Sequence, residues 1–296
     1  LRFEFNASAR SLSTRRTGTI GIIYPELYDT LGNTLYIGLL VRVIRKELEI
    51  QGLDSIGTFP LNHYSGESNI RKLISRKKVD GFLMIAPDIP GDDWEYVRQM
   101  EVPVVILHFR PVNTDWAGLS GLFTDHEAGG FMATEALIGR GCRNILTLTE
   151  MPPGQEFGER TRGYRKALTE HGISFREEYL LKGECSYNFG YASIMGMEEP
   201  RLRKTDAIFA QADLMAFGAI EGLRTRGVRV PEDIGVIGYD DTELGGMLRP
   251  RLSSVHQPRE KLASRAISLL VAIMNGTAGA DPIREFVTPT LIIRDT

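Results

Sequence analysis

Val-Pro-Glu-Asp-Ile-Gly-Val-Ile-Gly-Tyr-Asp-Asp, residues 230–241, contains a short apolar run that ends directly at two aspartates. A short apolar run with β-branched residues, bounded by turn-forming residues, is typical of a buried strand. The residues that follow a strand of a parallel sheet lie at its carboxyl edge, where α/β proteins bind ligands. Residues 230–241 therefore predict a parallel α/β sheet with Asp240 at a polar, ligand-binding edge.

The same alternation of strand and helix extends over the rest of the chain. Strand patterns occur at 19–24, 79–86, 119–124 and 144–149, and the segments 35–51 and 127–140, which follow the first and the third of them, have helical spacing of apolar residues. This alternation predicts βαβ units and parallel sheets that are covered on both faces. A chain of 296 residues exceeds what one hydrophobic core usually supports, so we expect two subdomains.

Composition limits the classes of function. The formal net charge is -3, so we expect the chain by itself to bind DNA poorly. Two cysteines, Cys142 and Cys185, fit a reducing compartment. Residues 1–19 lack the apolar core of a signal peptide, and no apolar run approaches the ~20 residues that span a bilayer. We therefore expect a soluble, cytoplasmic protein.

The sequence lacks the motifs of the common enzyme and cofactor classes. No Gly-rich phosphate loop follows a strand, and HExxH, paired CxxC and GxSxG are absent. The scattered histidines are expected to be surface or hydrogen-bonded residues, although His108 and His126 stand at predicted strand ends. The sequence predicts no catalytic residue, no metal and no cofactor.

Three stretches carry a resemblance to a known family. Residues 6–12 read Asn-Ala-Ser-Ala-Arg-Ser-Leu and lead into Ser-Thr-Arg-Arg-Thr-Gly-Thr-Ile-Gly. The second stretch is 207–219, and the third is 230–241 with its continuation through 250–258. Together they resemble the hinge and the core signatures of lac-repressor-type (LacI/GalR) transcriptional regulators, and the resemblance covers essentially the whole chain.

The resemblance implies an α/β fold of the type I periplasmic-binding-protein class, with two Rossmann-like parallel-sheet subdomains and three crossovers. The implied N-terminal subdomain is 18–141 plus 258–280, and the C-terminal subdomain is 142–257 plus 281–296. Residues 1–17 would be a hinge remnant, with the DNA-binding headpiece absent. Members of the family usually form dimers and bind a small effector in the cleft between the subdomains.

The hinge positions implied by the resemblance are Asn6, Ala9, Arg10, Leu12, Arg15 and Arg16. A helix as short as 7–12 is unstable alone in water, so it would form only on DNA. Leu12 matches the leucine that enters the minor groove, and the arginines could contact phosphates. Phe5 departs from the family, which often has proline there, and a solvated N-terminus is the alternative.

Three residues lead the candidates for effector binding. Arg160 resembles the family arginine that holds the effector, because a guanidinium fork suits two adjacent hydroxyls or a carboxylate. Its neighbour Arg162 is expected to be a surface residue. Asp240 matches an effector-binding aspartate, and Gln257 matches a crossover residue that reaches the pocket. The alternative for Gln257 is a hydrogen bond to the backbone.

Further effector-binding candidates are Asp213, Tyr28, Asp125, Phe157, Cys185 and Tyr187. Asp213 is equally suited to cap the helix that follows it. Cys185 stands where several members place a stacking aromatic, so Tyr187 or Phe157 is expected to supply that face, with ordinary packing as the alternative. Ala212 replaces a common family asparagine, which leaves room for an effector other than a typical hexose.

The predicted function is that of the effector-binding and dimerisation core of a transcriptional repressor. Its predicted partners are a carbohydrate or carbohydrate-derived effector, operator DNA through the headpiece and hinge, and a second copy of the chain, but no membrane. A nucleobase is the minority alternative for the effector. A periplasmic solute-binding protein shares the fold but would be exported, monomeric and without a hinge. An α/β enzyme would need a cofactor motif or a matched acid/base pair.

Overall fold

The structure is a computed structural model that describes residues 16–25, 31–111, 115–116, 118–152 and 154–296. Six of the candidate site residues lie outside the described ranges: Asn6, Ala9, Arg10, Leu12, Arg15 and Tyr28. Across the described ranges, every helix is too short or too polar to cross a membrane.

Strands and helices alternate along the described chain, as the sequence predicts. The strands are β1 Thr19–Ile23, β2 Asp54–Thr58, β3 Gly81–Met84, β4 Val104–Leu107, β5 Ser120–Thr124, β6 Ile145–Glu150, β7 Leu180–Gly183, β8 Ala207–Ala210, β9 Gly235–Tyr239, β10 Ser253–His256, β11 Arg284–Val287 and β12 Thr290–Ile292. The helices are α1 Leu31–Ile50, α2 Asn69–Ser75, α3 Gly91–Gln99, α4 His126–Gly139, α5 Gln155–Glu170, α6 Tyr187–Met195, α7 Glu199–Leu202, α8 Asp213–Thr225, α9 Glu243–Met247 and α10 Arg259–Met274.

The strands form two six-stranded sheets with the same order of connections. The first runs β2-β1-β3-β4-β5-β11 and the second β7-β6-β8-β9-β10-β12. In the second sheet β6, β7, β8, β9 and β10 pair in parallel, and β12 adds antiparallel to β10. The prediction of two α/β subdomains built on parallel sheets is confirmed. In each sheet the strand order reverses at one point, between β1 and β3 or between β6 and β8, and ligands bind at such reversals.

The chain divides into two compact units. The first contains residues 37–123 and 259–287 with β1, and the second contains residues 124–258 and 288–296 with residues 34–36. The sequence places the first boundary after Gly141, whereas the structure assigns α4 to the second unit, because α4 packs against α5 and β9. Likewise β11 joins the first sheet beside β5, although the sequence assigns residues 281–287 to the C-terminal subdomain.

Both faces of the second sheet are buried, because alternate residues of a strand point to opposite faces. On one face Leu146, Ile208 and Val236 belong to a core shared with α6 and α8. On the other face Phe209 and Tyr239 belong to a core shared with α4 and α5. The second face therefore carries the tyrosine directly before Asp240 into contact with α4 and α5.

The start of the described chain is tied to the first unit. The carboxylate of Asp80 accepts hydrogen bonds from the backbone N–H of Thr17 at 2.7 Å and of Gly18 at 2.7 Å. Arg16, which the resemblance places in the hinge, donates from Nη1 to Asn275 Oδ1 at 2.6 Å and from Nη2 to the Met274 carbonyl at 2.5 Å. Arg16 thus contacts the end of α10 in this structure.

Helices α4 and α5 touch through glycines on both sides of the contact. A Cβ on Gly130 would lie 2.1 Å from the carbonyl oxygen of Arg160, and a Cβ on Gly163 would lie 2.1 Å from that of Glu127. No other residue type allows two helix backbones to approach this closely. The contact fixes the rotation of α5 against α4, and with it the direction of Arg160.

We expect Gly130→Ala to lower the free energy of unfolding by about 1–3 kcal/mol, because the added methyl overlaps a backbone carbonyl that cannot turn away. Thermal unfolding followed by circular dichroism would measure the loss. Gly139→Ala is the matched control in the same helix, since nothing lies within 4 Å of its Cβ position. Equal unfolding temperatures for the two variants would contradict the tight contact.

Candidate functional site

Polar side chains collect at the carboxyl edge of the second sheet. Glu150 ends β6, and Gln211, Asp240 and Gln257 directly follow β8, β9 and β10. Gln211 is 0% exposed, Gln257 is 1% exposed and Asp240 is 9% exposed. Buried polar groups at the ends of adjacent parallel strands make this edge the candidate site of the second unit.

Arg160 lies at the centre of this edge and is 4% exposed. Its Nη1 donates to the carbonyl oxygen of Gln211 at 2.5 Å, and its Nη2 lies 3.9 Å from Asp240 Oδ1. The guanidinium carbon stands 3.8 Å from the ring centroid of Tyr239 and 4.8 Å from that of Phe157. Burial lowers the pKa of Arg160, but Tyr239, Asp240 and Glu156 more than offset that effect and raise it. The side chain is therefore a charged, oriented donor.

Asp240 and Gln257 form one hydrogen-bonded chain with Thr124. Gln257 Nε2 donates to Asp240 Oδ1 at 2.7 Å, and Thr124 Oγ1 donates to Gln257 Oε1 at 3.1 Å. The Gln257 amide thus bonds to side chains at the edge. Asp240 has φ 110°, a conformation that residues other than glycine rarely adopt. Such strain is kept where surrounding contacts hold it, and it is frequent at functional sites.

His126 stands beside Arg160, although the sequence predicts an ordinary histidine there. It is 3% exposed, and its Nδ1 lies 3.0 Å from the Tyr239 hydroxyl and 3.4 Å from Arg160 Nε. The signal in the sequence is its position at the end of β5, one residue after Asp125. Asp125 itself caps α4, since its Oδ1 accepts from the Ala128 N–H at 2.9 Å.

Two carboxylates that the sequence analysis does not single out flank the site. The N–H of Gly154 donates to Glu150 Oε2 at 3.4 Å, and Glu156 Oε2 lies 2.8 Å from where a Cβ of Gly154 would stand. Burial raises the pKa of Glu150 and of Glu156, while the positive charge of Arg160 lowers both. Its position as the last residue of β6 could have identified Glu150 as a site residue. Glu156 is recognised as one only once the structure shows that α5 begins at Gln155.

Gln211 is a further residue that sequence reasoning misses. Its Oε1 accepts from Thr149 Oγ1 at 2.9 Å, and its Nε2 donates to Thr147 Oγ1 at 3.1 Å and to Thr161 Oγ1 at 2.9 Å. These bonds fix the backbone carbonyl that receives Arg160. Gln211 thus holds in position the carbonyl oxygen that accepts the hydrogen bond from Arg160.

The carboxylate of Asp213 is buried and accepts hydrogen bonds from other residues of the protein. Oδ1 accepts from Ser254 Oγ at 2.6 Å, and Oδ2 accepts from the Thr242 N–H at 2.7 Å and the Thr242 hydroxyl at 2.9 Å. Burial, followed by the charge of Asp240, raises the pKa of Asp213 to about 7. Asp213 is the first residue of α8, and it ties this helix to β10 and to the segment before α9.

The remaining candidates separate into two groups. Phe157 lies against Arg160, and Cys185 is half-buried, with its pKa raised to about 12 by burial and then by Asp240 and Glu150. Tyr187 is 38% exposed and stacks on Tyr191 with ring centroids 6.5 Å apart. Its charged neighbours Glu221 and Arg224 belong to the later turns of α8. The structure brings Phe157 to the arginine but leaves Tyr187 on an exposed face.

We expect the stability that Asp213 contributes to fall as the pH rises from about 4 to about 7. An unfolded aspartate releases its proton near pH 3.9, whereas the folded carboxyl keeps it until about pH 7. In that window the unfolded state binds fewer protons, so the free energy of unfolding decreases with pH. Urea unfolding of the wild type and Asp213→Asn at several pH values would measure the difference. A constant difference across the window would contradict the raised pKa.

Comparison with known proteins connects this geometry to regulators. A family model described as a periplasmic binding protein-like domain matches residues 134–296, which include Arg160, Asp240 and Gln257. The HTH-type transcriptional repressor PurR of Erwinia tasmaniensis is 31% identical over 303 residues, covering 99% of this chain and 84% of that protein.

Two solved structures extend the likeness to the fold. A regulatory protein of the LacI family from Chloroflexus aggregans shares 28% identity with a TM-score of 0.79, over 94% of this chain and 98% of that one. The transcriptional regulator CelR in complex with cellobiose shares 28% identity with a TM-score of 0.78, over 97% of this chain and 88% of that one. The resemblance seen in the sequence is therefore matched in both sequence and structure.

Proposed function

Because the chain belongs to the LacI family of transcriptional regulators, we propose that it is the effector-binding and dimerisation core of a repressor that senses a small molecule. The observation that carries the proposal is the buried group of Arg160, Asp240 and Gln257 at the carboxyl edge of the second sheet. These three side chains offer a fixed array of donors and acceptors. The proposed role is sensing rather than catalysis, in the cytoplasm where operator DNA is available to the headpiece and hinge.

The chemistry of the edge favours an uncharged carbohydrate as effector. A carboxylate accepts from sugar hydroxyls, and a guanidinium fork donates to two of them. Asp240 stands 3.9 Å from the guanidinium of Arg160, and Glu150 and Glu156 also interact with its charge, so a sugar acid or sugar phosphate would add a further negative charge. The CelR structure named above holds cellobiose, an uncharged disaccharide.

The alternative of a periplasmic solute-binding protein has less support. The relatives named above are transcriptional regulators. The Asn-Ala-Ser-Ala-Arg-Ser-Leu stretch at residues 6–12, with its implied role in DNA binding, also favours the regulator. We therefore propose operator DNA and a second copy of the chain as the macromolecular partners.

A thermal-shift screen would compare uncharged sugars with sugar acids, sugar phosphates and nucleobases. We expect the compounds that stabilise the protein to be uncharged sugars. A ligand at a hundredfold excess over its Kd adds about 2.7 kcal/mol to the folded state. Arg160→Ala and Asp240→Asn should each abolish the shift. Arg162→Ala is the matched control, because Arg162 lies on the same helix with its side chain 59% exposed and paired with Glu127 and Glu159.

Three outcomes would count against this proposal. A shift that survives both substitutions would place the effector elsewhere. Stabilisation by sugar acids or phosphates but not by uncharged sugars would contradict the charge argument. Turnover of a bound sugar by the purified protein would favour the enzyme alternative.

We expect sedimentation equilibrium to give twice the chain mass of 33.0 kDa, because the proposed repressor core pairs with a second copy. The measurement should be made with and without the stabilising sugar. A mass of one chain at micromolar concentration under both conditions would contradict dimerisation while leaving effector binding intact.

A further inference from the structure

Two polar groups approach one nitrogen of His126. Arg160 Nε carries a hydrogen and has no free lone pair, so it can only donate to His126 Nδ1, 3.4 Å away. The Tyr239 hydroxyl lies 3.0 Å from the same nitrogen. Nδ1 must therefore present its lone pair. The geometry assigns a neutral imidazole that carries its proton on Nε2.

This neutral ring completes the set of contacts that orient Arg160. The Nη1 atom is held by the Gln211 carbonyl, and the plane of the guanidinium rests against Tyr239. The remaining donor of the guanidinium, Nε–H, needs an acceptor of its own, because a buried N–H without one is destabilising. His126 supplies that acceptor and joins Arg160 to Tyr239 through one nitrogen.

We propose that neutral His126 is a positioning residue for Arg160, and that protonation of its ring weakens effector binding. The proposal rests on the effector role given above to Arg160. A proton on Nδ1 would remove the acceptor and place a second positive charge beside a guanidinium that is 4% exposed. Charges in such surroundings are poorly screened, so the arginine would move away from its binding position.

Any test must distinguish the titration of His126 from that of the other ionisable groups near it. Arg160 faces the ring from α5, and Tyr239 faces it from β9 with Asp240 directly after it. Asp125 and Glu127 flank it in the chain, and Glu156 acts on Arg160 from the preceding turn of α5. Asp213, behind Asp240, titrates in the same pH range. Comparison of the wild type with variants at position 126 removes these shared contributions.

The first experiment needs no effector. Protein labelled with ¹⁵N in histidine and arginine would be followed by NMR during a pH titration, with His126→Asn and Arg160→Lys used to assign the two side chains. We expect the Nε2–H form of His126 near neutral pH, and an Arg160 Nε–H signal that shifts as the ring takes up its proton. An Nδ1–H form, or an Arg160 signal that ignores the titration, would overturn the proposal.

The second experiment measures binding of cellobiose by calorimetry at about pH 7.5 and about pH 5.5, on either side of the usual histidine range. For the wild type we expect affinity to fall on acidification, and a tenfold fall is equivalent to about 1.4 kcal/mol. His126→Asn keeps an acceptor at the position of Nδ1 but cannot become charged, so it should bind within about threefold of wild type at the higher pH and lose most of this pH dependence. His126→Phe should bind weakly at both.

His171→Asn serves as the matched control, because His171 lies at the end of α5 and its Nδ1 contacts the Ala167 carbonyl at 2.9 Å, outside the site. It should follow the wild type. The same pH dependence in wild type and His126→Asn would overturn the inference while leaving the proposed function intact. Loss of cellobiose binding in every protein, the wild type included, would count against that sugar as effector, and the NMR titration would then decide the role of His126 by itself.

Discussion

The close contact between the backbones of α4 and α5 is the constraint on which the site depends. At Gly130 the Arg160 carbonyl occupies the space of a side chain, and Gly163 makes the reciprocal approach to Glu127. This packing sets how far α5 is rotated, and so it directs Arg160 toward the ends of β8 and β9. A similar pair, Gly190 and Gly218, brings α6 against α8 on the other face of the sheet.

Electrostatics then separate two aspartates that are close in space. Both carboxylate oxygens of Asp213 accept hydrogen bonds from Ser254 and Thr242, and burial raises its pKa. Asp213 therefore links elements within the second unit. Asp240 accepts from Gln257 and stands 3.9 Å from Arg160 in a strained backbone conformation. Of the two, Asp240 is the one presented with the arginine at the carboxyl edge, and we infer that it meets the effector.

Much of the fold could be predicted from local pattern, because a strand buried on both faces needs a short apolar run and leaves polar residues at its end. The run at 234–239 is β9 almost as predicted, and Asp240 follows it. The boundary after Gly141 differs from the structure, since helix α4 follows a strand of the first sheet but finds its partner helix in the second unit. Chain order does not reveal which layer a connecting helix will join.

The family and the alternation of strands and helices can be recognised from the amino-acid sequence alone. So can the positions of Arg160, Asp240 and Gln257 within characteristic stretches. Only the tertiary structure decided the partners of those residues. His126 and Gln211 reach Arg160 from other elements, so no local pattern distinguishes them from ordinary buried residues, whereas Glu156 stands four residues before Arg160 on the same helix. The physical reason is that hydrogen bonds and charge interactions depend on distances of a few ångströms, which helix packing sets and residue spacing along the chain does not.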